Sequence, residues 1–298
     1  MPICAAPAID VLWYSYAHDT SIYKRQISRI AEEAHRFLDG DGPRWNLSWF
    51  GPGSVAPDFS AYDVLVIHSA ETGKTGSAVS GGRVEPDYSG ILGNKIAIET
   101  ARGSRTFISG SDADLHAVRG DTGHTPIFIP DYGAWDGALG HVVNVINWAA
   151  SGRGLGIVTW YHGEGGPDAY WWSHASSFLK EELEGYVTDF AKDIPGDGRR
   201  ENTPIISEEG SRHPVNKGLT TTGLSNWQWS FHGGFDKAIA GYRGVIHSTK
   251  YPDLFLAIAR EHPPAILLIL GAAAATLGLV LVGWMVAHAA IGWRKRAR

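Results

Sequence analysis

Apolar and polar positions divide the chain into two regimes. Up to about residue 250, short apolar runs alternate with amphipathic stretches; residues 265–287 (AILLILGAAAATLGLVLVGWMVA) then form 23 positions without a charge. In the first regime residues 9–16 (IDVLWYSY), 45–50 (WNLSWF), 62–69 (YDVLVIHS), 106–109 (TFIS) and 154–161 (GLGIVTWY) read as strands. YDVLVIHS and TFIS have the continuous apolar character of strands buried on both faces. Residues 20–38 carry a helical stripe of Ile22, Ile27, Ile30, Ala34, Phe37 and Leu38, with Asp19 or Thr20 placed to cap it. Residues 137–150 also read as a helix, a short helix is predicted within 91–101, and a long one over 169–192. Residues 73–93 read largely as a loop, and 204–207 and 242–247 as further short strands. Strand–helix alternation with buried strands predicts an α/β domain with a mostly parallel sheet and helices on both faces.

The second regime has the length of a membrane span. At 1.5 Å per residue it extends about 34 Å, against roughly 30 Å of hydrocarbon. Pro263 and Pro264 precede it, Trp284 and Trp293 lie near its far end, and the tail RKRAR ends it with four positive charges. The expected organisation is a domain over 1–250, a juxtamembrane connector over 251–264 lying along the bilayer, a single transmembrane helix over 265–287, and a basic tail over 288–298. The lipid bilayer is thus the first expected partner. The positive-inside rule puts the tail in the cytoplasm, whereas the first nineteen residues show no basic and apolar export signal, so the side of the large domain stays open.

Charge and composition narrow the function classes. The net charge is −5, and without the tail 22 basic residues face 31 acidic ones. A body that acidic lacks the basic face that sequence-independent nucleic-acid binding needs. Cys4 is the one cysteine, which excludes an intrachain disulfide and a cysteine-rich zinc site. The 12 tryptophans exceed the usual share and suit a protein interface.

Ligands of open parallel sheets bind beyond the carboxyl ends of the strands. That rule selects HSAETG (68–73), which contains Glu71, then SGSDADLH (109–116), YHGEGG (161–166) and SEEGSRHPVN (207–216). In SGSDADLH, Gly110-Ser111-Asp112 has the makings of a strand-to-helix turn that displays a nucleophile, although G-x-S-x-G is not met. Ser111 would then need a histidine base, His162 or His232. Asp112, Asp114 and His116 alternate, and in an extended segment they would face one way and suit a divalent metal. The plainer reading of the same residues is a helix start, Asp112 capping and Asp114 favoured by the dipole. His162 and Glu164 are candidates for acid/base or ligand contact, or for a plain turn. Glu208 and Glu209, if extended, point to opposite sides. Trp227 to Phe235 offers aromatics for stacking a sugar or for packing. Lys74 lacks the glycine spacing of a phosphate loop.

YDVLVIHS, then ARGSRTFISGSDADLH (101–116), NVINWAASGRGLGIV (144–158) and HPVNKGLTTTGLSNWQWSFHGGF (213–235), in this order, resemble the glutamine-amidotransferase-like superfamily, in particular its ThuA-like, membrane-anchored bacterial members. The resemblance spans roughly residues 9–247 and implies a flavodoxin-like α/β sandwich. The chain departs from the family at the chemistry. The elbow that holds the family's cysteine falls on Gly110-Ser111-Asp112, and Cys4 precedes the first strand. Hydrolysis through a cysteine thioester is excluded by residue type. The family's late His-x-Glu pair also has no counterpart, since Pro214 and Val215 follow His213. The expectation is a membrane-anchored ligand-binding or protein-docking module without glutaminase activity and without a cofactor. Its candidate ligand contacts are Glu71, Asp114, His116, His162 and Glu164. The alternatives are a hydrolase of sugar-like or ester substrates, using Ser111, Asp112 and His232 or a metal at Asp112, Asp114 and His116, and a structural subunit of a membrane or virion assembly.

Overall fold

The computed structural model describes residues 7–16, 22–36, 42–69, 87–119, 137–161, 171–194, 204–225 and 231–261. All belong to one compact unit that ends at Glu261. Its strands are β1 (Ile9–Tyr14), β2 (Trp45–Phe50), β3 (Val64–Ile67), β4 (Arg102–Ser109), β5 (Leu155–Trp160), β6 (Val187–Asp189), β7 (Pro204–Ile205), β8 (Gly233–Asp236), β9 (Arg243–Ser248) and β10 (Leu254–Glu261). The helices that matter here are α1 (Ile22–Glu33), α2 (Ser89–Leu92), α3 (Lys95–Ala101), α4 (Ala113–Arg119), α5 (Gly137–Ala150) and α6 (Lys180–Leu183).

The sheet is mixed. Its order is β2-β1-β3-β5-β4-β10-β8-β6, with β9 beside β10 and β7 beside β9. The block β2-β1-β3-β5-β4 is parallel. Everything from β10 onward is antiparallel. The α/β class and the parallel block agree with the sequence expectation; the antiparallel extension does not come from it. Every residue of β3 is fully buried, as its unbroken apolar run requires. One face packs under α1, α4 and α5 through Ile27, Leu115, Val142 and Ile146, around Trp13 and Trp160. The other packs under α2, α3 and α6 through Ile91, Ile98 and Leu183.

Two expectations are corrected. The connector proposed for 251–264 is largely β10, which pairs with β9 on one side and, on the other, with β4 along Ala257–Glu261 and with β8 at Leu254 and Phe255. In LFLAIARE both alternating sets are apolar through Ala259, so the segment suits a strand covered on both faces. Leu256, Ala257 and Ile258 are fully buried there. The long helix expected over 169–192 is broken into α6 and β6. Gly185 stands between them at φ 82°, a conformation that ends a helix. Among the described residues no helix is long and apolar enough to cross a membrane. The segment 265–287 lies outside the described residues.

At the amino end of β4 a buried ion network joins elements distant in sequence. Arg102 grips Glu182 with two bonds, of 2.8 and 3.0 Å. Arg260 of β10 reaches the same carboxylate at 2.7 Å, and the Tyr242 hydroxyl donates to it at 2.7 Å. Burial works against the Glu182 charge, but the Arg102 bonds outweigh it and hold the carboxyl below its usual range.

His141 of α5 is fully buried beside Phe107, their rings 5.3 Å apart. Burial pushes its pKa down to about 3 from the ordinary 6.5. Below pH 6.5 the unfolded chain therefore takes up a proton that the folded chain refuses, and stability falls as pH drops toward 3. Between pH 7 and pH 5 this contributes a loss of about 2 kcal/mol. Urea unfolding at the two pH values should show the loss, and His141→Gln should remove most of it.

Candidate functional site

The carboxyl ends of β1, β3, β4 and β5 meet in a buried polar cluster. After β4 the chain makes a narrow passage at Gly110. The backbone N–H groups of His232 and Gly233 both donate to the Gly110 carbonyl, at 2.7 and 3.1 Å. A Cβ on Gly110 would run into the Gly233 carbonyl, so only glycine lets the two segments lie this close. Ser111 forms a bridge with Phe231, and its carbonyl accepts from the Tyr161 N–H at 2.8 Å. The Asp112 carbonyl then accepts the His116 N–H at 3.1 Å, which starts α4.

This turn brings together residues that sequence reading had singled out. Asp112 lies between two imidazoles: His116 Nε2 is 3.3 Å from Oδ1, and His232 Nε2 is 3.3 Å from Oδ2. All three are at most 5% exposed. The carboxylate thus lies within ion-pair distance of both rings, one at each oxygen.

Asp114 belongs to a different network. It accepts from Ser69 N–H at 3.0 Å, Ser69 Oγ at 2.6 Å and the Tyr23 hydroxyl at 2.8 Å. Burial raises its pKa, while the charge of His68 and the hydrogen bonds from Ser69 and Tyr23 act in the opposite direction. Asp114 is thus turned into another network than Asp112 and His116, and the extended segment that the metal alternative assumed is not formed. The segment is helical from Ala113, and residues two apart on a helix point about 200° away from each other. Among the described residues no three His, Cys, Asp or Glu side chains are grouped to hold a metal ion.

Ser111 is fully buried, and its Oγ lies 2.9 Å from Ser109 Oγ. The hydroxyl thus faces another serine at the place where a nucleophile would meet its base. Glu71, His162 and Glu164 lie outside the described residues, as do Lys74 and Trp227. Glu208 and Glu209 sit in a capped helical turn and pair with Arg212 and Arg243 at the surface. His213 caps the next turn through its ring nitrogen and packs on Trp148, a local structural role.

Sequence reasoning missed three features here. The first is an aromatic shell around buried His68. The rings of Tyr16, Tyr23, Tyr88 and Tyr14 stand 4.4, 5.6, 6.2 and 6.3 Å from it. Alternation of Tyr14 and Tyr16 at the end of β1 was the available signal. The second is Tyr161, whose hydroxyl donates to buried Asp189 at 2.7 Å. Burial, then Asp189, push that phenol far above its ordinary range, so it stays protonated. The third is a cavity of about 380 Å³ lined by Trp172, Leu183, Val187, Lys192 and Asp193 among others. It adjoins the Tyr161 pair, since Asp193 accepts from the Asp189 N–H at 2.8 Å. Its size falls within the range of small-molecule sites. Comparison with family models, with curated proteins and with solved structures gives no match.

Proposed function

We propose that the chain is a membrane-anchored recognition module with a flavodoxin-like, amidotransferase-like head that lacks glutaminase activity. The head binds a ligand or docks a protein at the strand ends, and residues 265–287 tie it to the bilayer. The observation that carries this reading is the elbow after β4: its serine hydroxyl is turned onto Ser109, and its acid is engaged by His116 and His232. Neither arrangement offers a nucleophile to a carbonyl substrate. The cavity beside Tyr161 and Asp189 supplies room for a small ligand.

A hydrolase is the second reading, favoured by the two histidines on Asp112. A fluorophosphonate probe separates the two: recognition predicts no label on Ser111, whereas label that disappears in Ser111→Ala establishes the hydrolase. Anchoring has its own test. The full chain should float with liposomes and resist alkaline extraction, and Leu277→Arg with Leu279→Arg should abolish this, because each arginine costs about 3 kcal/mol at a span's centre. Wild-type protein left in the soluble fraction would remove the anchor from the account.

A further inference from the structure

We infer that the β2 edge of the sheet pairs with the β2 edge of a second copy of this chain, antiparallel and centred on Leu47. Among the described residues β1 is the only strand beside β2. The register runs unbroken from Ile9↔Trp45 to Tyr14↔Phe50. It begins with Ile9 N–H on the Arg44 carbonyl at 2.8 Å and ends with Ser15 N–H on the Phe50 carbonyl at 2.9 Å. In a parallel ladder of that phase, Asn46, Ser48 and Phe50 turn their backbone groups toward β1. Trp45, Leu47 and Trp49 then direct N–H and C=O outward.

Edge strands are ordinarily protected by charge, proline or a bulge. WNLSWF has no charged residue and no proline, and its register shows no bulge. Asn46 is exposed, and Leu47, Ser48 and Trp49 are half-buried.

The choice of a second copy rests on the order of residues. Trp-Asn-Leu-Ser-Trp is nearly the same read in either direction about Leu47. A two-fold antiparallel pairing sets Trp45 opposite Trp49 of the other copy, Leu47 opposite itself, and Asn46 opposite Ser48. The three outward-facing residues then exchange both backbone bonds with their counterparts. Aromatic pairs align on one face and amide–hydroxyl pairs on the other, both favourable across strands. A strand of another protein would meet this edge without such self-matching.

The test uses the full chain in detergent micelles with Cys4→Ala. Asn46 and Ser48 of the two copies would form a non-hydrogen-bonded pair about 4.5 Å apart between Cα atoms, within disulfide reach. Asn46→Cys and Ser48→Cys proteins, mixed and mildly oxidised, should give several-fold more covalent dimer than either protein alone. No covalent dimer in the mixture, or equal yields from all three samples, overturns the proposal. Sedimentation of the unsubstituted chain should show a concentration-dependent dimer; a monomer at every concentration also overturns it.

Discussion

Glu182→Ala should destabilise the head by about 3–5 kcal/mol, the cost of removing one partner from a buried ion pair. The loss is large because one carboxylate serves three donors. Without it the Arg102 and Arg260 guanidiniums face each other near the sheet with their shared counter-charge gone, and the Tyr242 hydroxyl loses its acceptor. The Arg102 and Arg260 side chains are only 8% and 16% exposed, so water restores little. Glu208→Ala, which removes an exposed pair with Arg212, should change stability little. Urea unfolding of both variants checks the contrast; equal small losses would mean that the network contributes no more than a surface pair.

Asp114→Ala should cost a comparable amount, about 3–5 kcal/mol, because it strands two donors of Ser69 and one of Tyr23 in the interior, each unsatisfied group costing about 1–3 kcal/mol. These bonds tie the start of α4 to the end of β3 and to α1, so the damage should spread to the strand-end cluster. Asp114→Asn keeps one acceptor oxygen and should lose less. Thermal melts of both variants give the order: Ala well below Asn, and Asn below the natural protein. An Asp114→Ala protein with an unchanged melting temperature would show that this carboxylate is not a structural tie.

What could be read from the residues follows from the range of the forces involved. β3 and β5 are legible because strands buried on both faces must be apolar throughout, and α5 was located at its full length, Gly137–Ala150. β10 is hidden in the sequence because its apolar run stands just before Pro263 and the long uncharged segment, a place that favours a membrane-surface connector. β8 is GGFD, whose glycines hide a strand that the close approach to Gly110 explains. The same applies to the site. Asp112, Asp114 and His116 were visible as a local pattern, but with the period of a strand rather than a helix. That His232 reaches Asp112 depends on the segment before β8 lying across the end of β4, which no local pattern encodes. Arg102, Glu182 and Arg260 are likewise joined by sheet topology alone.

The most direct test of the recognition account is glutamine hydrolysis by the full-length protein in detergent, measured as ammonia release beside Cys4→Ala and Asp112→Asn. The account predicts background release from all three. Robust glutamine-dependent ammonia from the natural protein that persists in Cys4→Ala and vanishes in Asp112→Asn would contradict it, because the turn after β4 would then be performing chemistry on an amide.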